Sequence, residues 1–207
     1  CSWLEFKRSR KPRGFFWMRS KLTFDKLIDD YIFNSVLDIG AGNQTFADMF
    51  RAADKEVYTT DILESDYQGD FNTIDFDRNF DCIWCAHTLE HQLNVHHFLS
   101  KIFHLLDTNG ILAISVPPLR HNIVGGHVSL WNAGLLLYNL ILAGFDCSDA
   151  AVRTYGYDVS VIVQKKEARL PKLNYDHGDI EKLSKYFPTQ LKATQGFYGQ
   201  IPAINWD

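Results

Sequence analysis

Residues 36–43 read Val-Leu-Asp-Ile-Gly-Ala-Gly-Asn, and a helical pattern follows over 44–53. An apolar run ends in an acid, then a small-residue loop, then a helix. Glycine lets a backbone approach a ligand where a Cβ would block it. The loop also delivers that ligand to a helix N-terminus, whose free N–H groups point outward. A strand, tight loop and helix in this order commit the chain to an α/β architecture with a nucleotide-type ligand site.

The rest of the chain repeats the alternation. Apolar residues at 24, 27, 28, 31 and 32 predict a helix over 20–33. Arg19, just ahead of it, is within reach of a ligand carboxylate. Strands are expected at 57–60, 80–86 and 111–116, the last stopped by Pro117-Pro118. A helix is expected at 93–106, closed by a turn at 107–110. Another runs over 130–143 and ends at Gly144. Two β-rich stretches follow, around 145–153 and 157–163. Strands alternating with helices predict a Rossmann-like α/β fold, a mostly parallel sheet covered by helices on both faces, with an antiparallel final pair. Residues 165–207 are more polar, with a short helix expected at 180–187; they form a C-terminal extension placed to cap a cleft or meet a partner. Residues 1–21 form a separate arm, seven of them Lys or Arg, interleaved with Phe15, Phe16 and Trp17. That arm is read as solvated, its aromatics packing on the core, with a nucleic-acid or membrane-surface patch as the second reading.

Length and charge narrow the class. The 207 residues suffice for one domain with modest appendages, and a net charge of -4 argues against a general polyanion binder. No run of about 18 apolar residues is present, so no transmembrane segment is expected. Cys82 and Cys85, three apart on a strand, face opposite sides and cannot share a metal or a disulfide. Reduced core cysteines predict a cytoplasmic protein. The chain begins at Cys1 rather than Met, as if a few N-terminal residues were missing or trimmed.

Asp61 ends the second expected strand, 19 residues after Gly42, a spacing that suits a carboxylate accepting hydrogen bonds from ribose hydroxyls. A dinucleotide fingerprint would need glycine or alanine at position 45, where Thr45 stands, and the chain has little room for a dehydrogenase's substrate domain. The stretch resembles the first motif of class I S-adenosylmethionine-dependent methyltransferases, through Asp38, Gly40 and Gly42, with Gln44 in place of the third glycine. The resemblance spans roughly residues 22–164. Asp70-Phe71 looks like the family's acid–aromatic pair, residues 80–91 like its fourth strand and loop, and residues 103–118 like its fifth strand. It implies a seven-stranded sheet and methyl transfer from S-adenosyl-L-methionine. By that resemblance Asp38, Gly40, Ala41 and Gly42 would line the methionine end. Asp61 and Ile62 would take the ribose, Asp70 and Phe71 the adenine, and Cys85 would join the cofactor wall. The short spacing from Asp61 to Phe80 predicts an abbreviated third strand and helix.

His87-Thr88-Leu89-Glu90-His91 has the H-x-x-E-H spacing of a zinc peptidase motif. Its place after a strand of a cofactor-binding sheet argues against peptidase chemistry. The same segment resembles two things. One is the ordinary loop of many class I methyltransferases. The other is the E-x-x-E-H metal motif of small-RNA 2′-O-methyltransferases and ubiquinone-pathway O-methyltransferases, with His87 replacing the first glutamate. The RNA group has a further histidine after the fifth strand, matched by His127. His87, Glu90, His91 and His127 would then hold a divalent metal, and imidazole favours Mn, Fe, Co, Ni or Zn over Mg. Without a metal, His87 or His121 would serve as general base, with His127 as a further candidate.

The expected activity is O-methylation of a small molecule or carbohydrate, for which residues 116–146 resemble bacterial surface-glycan enzymes. An RNA acceptor is the second enzymatic reading, and a non-catalytic S-adenosylmethionine-binding adaptor the third.

Overall fold

The computed structural model describes residues 18–207. The basic arm therefore lies, up to residue 17, outside the described residues. The remainder begins with α1 (Lys21–Asp30), β1 (Ser35–Ile39), α2 (Thr45–Ala52), β2 (Glu56–Asp61) and β3 (Tyr67–Gln68). It continues with β4 (Phe80–Ala86), α3 (Val95–Leu105), β5 (Leu106–Val116) and α4 (Ala133–Leu142). It closes with β6 (Ala151–Tyr155), β7 (Asp158–Gln164), α5 (Asp179–Leu183) and β8 (Ala203–Ile204).

All eight strands form one sheet, in the order β3-β2-β1-β4-β5-β7-β6-β8. Neighbours from β3 to β5 pair in parallel, and β7, β6 and β8 complete the sheet with antiparallel pairings. The eighth strand is the two-residue β8 against β6, supplied by the C-terminal stretch. The third strand is indeed cut to two residues, with no helix between it and β4. Strand order reverses between β1 and β4, and the crevice beyond their carboxyl ends is where such sheets bind ligands.

The central strands are apolar on both sides because both sides are covered. Cys82 and Trp84 of β4 face one core with Phe24 of α1 and Phe50 of α2. Ile83 and Cys85 face the other core, with α3 and α4. The two cysteines thus point to opposite faces, and burial pushes both thiols up. The tail from 165 adds Leu183, Tyr186, Phe187, Ile201 and Ile204 to the larger core. It crosses α4 where two glycines meet: Gly134 N–H donates to Gly199 O at 2.9 Å. A Cβ on Gly134 would lie 2.6 Å from Gly199 Cα.

The starts of α3 and α4 fall later than apolar periodicity predicts because side-chain caps set them. Asn94 accepts from His97 N–H, so α3 starts at Val95 rather than 93. Asn132 accepts from Leu135 N–H, so α4 starts at Ala133 rather than 130. The expected turn at 107–110 is an irregularity inside β5, with Asn109 at φ 61°. Among the described residues no helix is long and apolar enough to cross a membrane.

Candidate active site

The glycine loop leaves β1 and is stitched to the end of β2. Gly40 N–H donates to Thr60 O at 2.8 Å, and Gly42 N–H donates to Asp61 Oδ2 at 2.9 Å. The other carboxylate oxygen of Asp61 accepts from Leu63 N–H at 2.9 Å. Gly40 and Gly42 both take positive φ, 75° and 52°. At Gly40 the constraint is also spatial, since a Cβ there would sit 2.2 Å from Thr88 Oγ1. That threonine donates to Ile39 O at 3.1 Å, so the loop after β4 is pinned against the loop after β1. Gln44 adopts φ 60°, the left-handed conformation that a third glycine would take without strain.

Asp38 lies beneath the loop, 3% exposed, and accepts from the Ala47 N–H in the first turn of α2. Burial, then the charge of Asp61, pushes its carboxyl up to about 7. A positive charge brought near this buried carboxylate would restore its ionised form.

Beyond the loop opens a cavity of about 610 Å³. Gly40, Asp61, Ile62, Asp70 and Phe71 line it, and so do His87 and His91. Ile62 is 74% exposed, whereas Phe71 is buried against Phe98. Asp38, Ala41, Gly42 and Glu90 lie outside that lining. Cys85, wholly buried in the core, is likewise absent from that lining. Sequence reasoning missed Thr60, Thr88, Asn72, Gln92 and His97, which also line the space. Asn72 and Gln92 join its two walls through a 2.9 Å side-chain hydrogen bond.

The histidines divide into two groups. His87, at φ 54°, turns Nε2 onto Asp158 Oδ1 at 2.7 Å. Its Nδ1 faces Glu90 Oε1 at 3.3 Å. Burial alone would lower its pKa, but the two carboxylates outweigh burial and hold it at about 9. Asp158 is itself buried and also accepts from Ser20 N–H at 3.0 Å, so one carboxylate holds two residues with left-handed backbones. The second group is Glu90, His91 and His127, whose ligand atoms lie within 4.8 Å of one another. The His91 and His127 rings are 5.0 Å apart. His91 Nδ1 donates to Gly126 O at 2.7 Å, which leaves Nε2 with its lone pair facing the group. Glu90 Oε2 is buried without a hydrogen-bond partner. His87 does not join this cluster, because Asp158 holds its ring. His121 is exposed on the loop after β5 and does not line the cavity.

A family model described as a methyltransferase domain matches residues 19–141. No curated protein matches the chain. Among solved structures, the chain is similar to the Burkholderia thailandensis 1,6-didemethyltoxoflavin-N1-methyltransferase with bound 1,6-didemethyltoxoflavin and S-adenosylhomocysteine. That match is 17% identical over 64% of this chain and 71% of that one, with a TM-score of 0.53. N-methyltransferase NodS from Bradyrhizobium japonicum WM9 matches at 14% identity over 70% and 93%, TM-score 0.57. A SAM-dependent methyltransferase from Aquifex aeolicus matches at 18% over 71% and 93%, TM-score 0.55. At these identities the likeness is one of fold. Fold and family model together define the class as S-adenosylmethionine-dependent methyltransferase. The chain belongs to the methyltransferase-domain family, the matched model covering more than half of its length.

Proposed function

We propose that this methyltransferase acts on a hydroxyl group of a small molecule or carbohydrate, with a divalent metal held by Glu90, His91 and His127. The observation that carries this reading is that cluster, which adjoins the cavity through His91. An amine can attack a methyl group as its free base, but a hydroxyl must lose a proton whose pKa lies far above neutrality. When bound, S-adenosylmethionine supplies the methyl group: the acceptor oxygen bonds to the carbon, the C–S bond breaks onto sulfur, and the hydroxyl proton leaves to a base or solvent. A divalent ion, when bound, lowers the hydroxyl pKa and orients the oxygen.

The chain's own residues do the rest. The turn at Gly40 admits the methionine end, Asp38 opposes positive charge from below, and Asp61 has lone pairs left for ribose hydroxyls. Asp70 and Phe71 edge the far end of the cavity for adenine. Gly126 O fixes the His91 ring through Nδ1 and frees Nε2 for coordination. The buried, unpartnered Glu90 Oε2 is the polar atom such an ion would satisfy.

A nitrogen acceptor is the second reading, because two proteins of similar fold are named as N-methyltransferases. The deciding assay screens methyl transfer over sugar nucleotides, phosphorylated metabolites, amines and RNA oligomers, with Mn and with EDTA. Turnover of a hydroxyl acceptor that falls with EDTA is expected. In Glu90→Ala and His91→Ala, turnover and the metal content found by elemental analysis should fall together. Unchanged turnover and metal content in both variants would contradict the metal assignment, and exclusive turnover of amines would favour nitrogen. RNA modification that declines with salt would favour an RNA acceptor.

A further inference from the structure

Beside His87 stands Tyr157 in the β6–β7 turn. Its ring lies parallel to the His87 imidazole, 6.2 Å between centroids. Two guanidinium groups stack on this tyrosine: Arg19, just before α1, at 4.8 Å from the ring centroid, and Arg120, in the loop after β5, at 4.7 Å. Three segments distant in sequence thus bring two positive charges against one ring, which stacks on the cavity-lining His87. Both arginines are exposed. Among the described residues neither makes an ion pair. The nearby acid, Asp158, has its oxygens on His87 and Ser20. A tyrosine face holds a guanidinium plane in place while its N–H fork still points outward, and that fork matches the oxygens of carboxylate or phosphate.

We infer that Arg19 and Arg120, held over Tyr157, form an anion subsite for the acceptor, so that the methylated molecule carries a phosphate or carboxylate beside its reacting group. This rests on the methyltransferase reading and adds the charge class of the substrate. Two like charges against one ring repel, and an anion bound by their forks relieves that repulsion. The cofactor's own methionine carboxylate offers the same chemistry, so the test separates the two sources.

The probe is inorganic phosphate, titrated calorimetrically into the full chain with and without saturating S-adenosylhomocysteine. Wild type is expected to bind phosphate. Arg19→Gln and Arg120→Gln should each weaken it by about tenfold, and Arg120→Lys, which keeps the charge but loses the fork, by less. S-adenosylhomocysteine affinity should stay within about twofold in all variants. In the methyl-transfer screen, phosphorylated or carboxylated acceptors should outperform their neutral parents by about tenfold in wild type and lose that advantage in the double variant. Phosphate binding that is absent, or equal in wild type and variants, would overturn the inference. So would a tenfold loss of S-adenosylhomocysteine affinity, which would assign the arginines to the cofactor. If wild type fails to bind S-adenosylhomocysteine, the methyltransferase reading fails, and the phosphate titration without it still reads the arginine site by itself.

Discussion

The two halves of the candidate site are built in different ways. The cofactor half is local: β1, the glycine loop, α2 and β2 are consecutive, and Gly42 meets Asp61 across 19 residues. Its contacts are hydrogen bonds from loop N–H groups to Thr60 O and the Asp61 carboxylate, and they follow from strand, turn and helix geometry. The half we propose for the acceptor is assembled at long range. Asp158 reaches back 71 residues to His87 and 138 to Ser20, and Tyr157 gathers Arg19 and Arg120. A local half binds what a whole family binds, while a half made from distant loops can change its substrate without disturbing the sheet.

If the halves are separable, variants in each should fail differently. Gly40→Ala has the largest expected effect. Its Cβ meets Thr88 and its φ of 75° is unfavourable to alanine, so S-adenosylhomocysteine affinity should fall by about a hundredfold or more in calorimetry. Retained affinity would break the description of this loop as the cofactor cradle. Asp158→Ala should do the converse. It leaves the His87 ring and the Ser20 N–H without their buried acceptor, which costs about 3 kcal/mol in denaturant unfolding. S-adenosylhomocysteine affinity should change by less than about threefold, and a parallel loss of affinity would show that the halves are coupled.

A smaller effect concerns Asp38. Its folded pKa of about 7 lies above the ordinary carboxyl value of 3.8. The ligand-free protein therefore gains stability from this group below pH 3.8 and loses it as pH rises through about 7. A cation bound over Asp38 favours its ionised form. S-adenosylmethionine binding at pH 7 should thus release roughly half a proton, read from the dependence of binding enthalpy on buffer ionisation, and Asp38→Asn should abolish the release. The smallest effect is Gln44→Gly, which relieves a left-handed glutamine at the start of α2 but loosens the unfolded chain. A net gain of about 1 kcal/mol or less in unfolding is expected, with cofactor binding intact.

The same contrast explains what could be read beforehand. Asp38, Gly40, Gly42 and Asp61 were legible because each follows from its own strand and turn. Asn94 and Asn132 were readable caps, and attention to them would have placed the starts of α3 and α4 correctly. Asp158 carried a weaker signal, an acid opening a Val- and Ile-rich strand, but its partners could not be named until the sheet closed. For Cys85, an alternating strand gives the residue's face without its depth, and the depth is complete burial. The tail looked polar because its buried residues, among them Leu183, Phe187, Ile201 and Trp206, follow no helical or strand period.

The most direct measurement is a paired calorimetric titration of the full chain with S-adenosylmethionine and with NAD. One site for S-adenosylmethionine, lost in Gly40→Ala, and no heat from NAD are predicted. Binding of NAD in its place, or of neither ligand, would contradict the account.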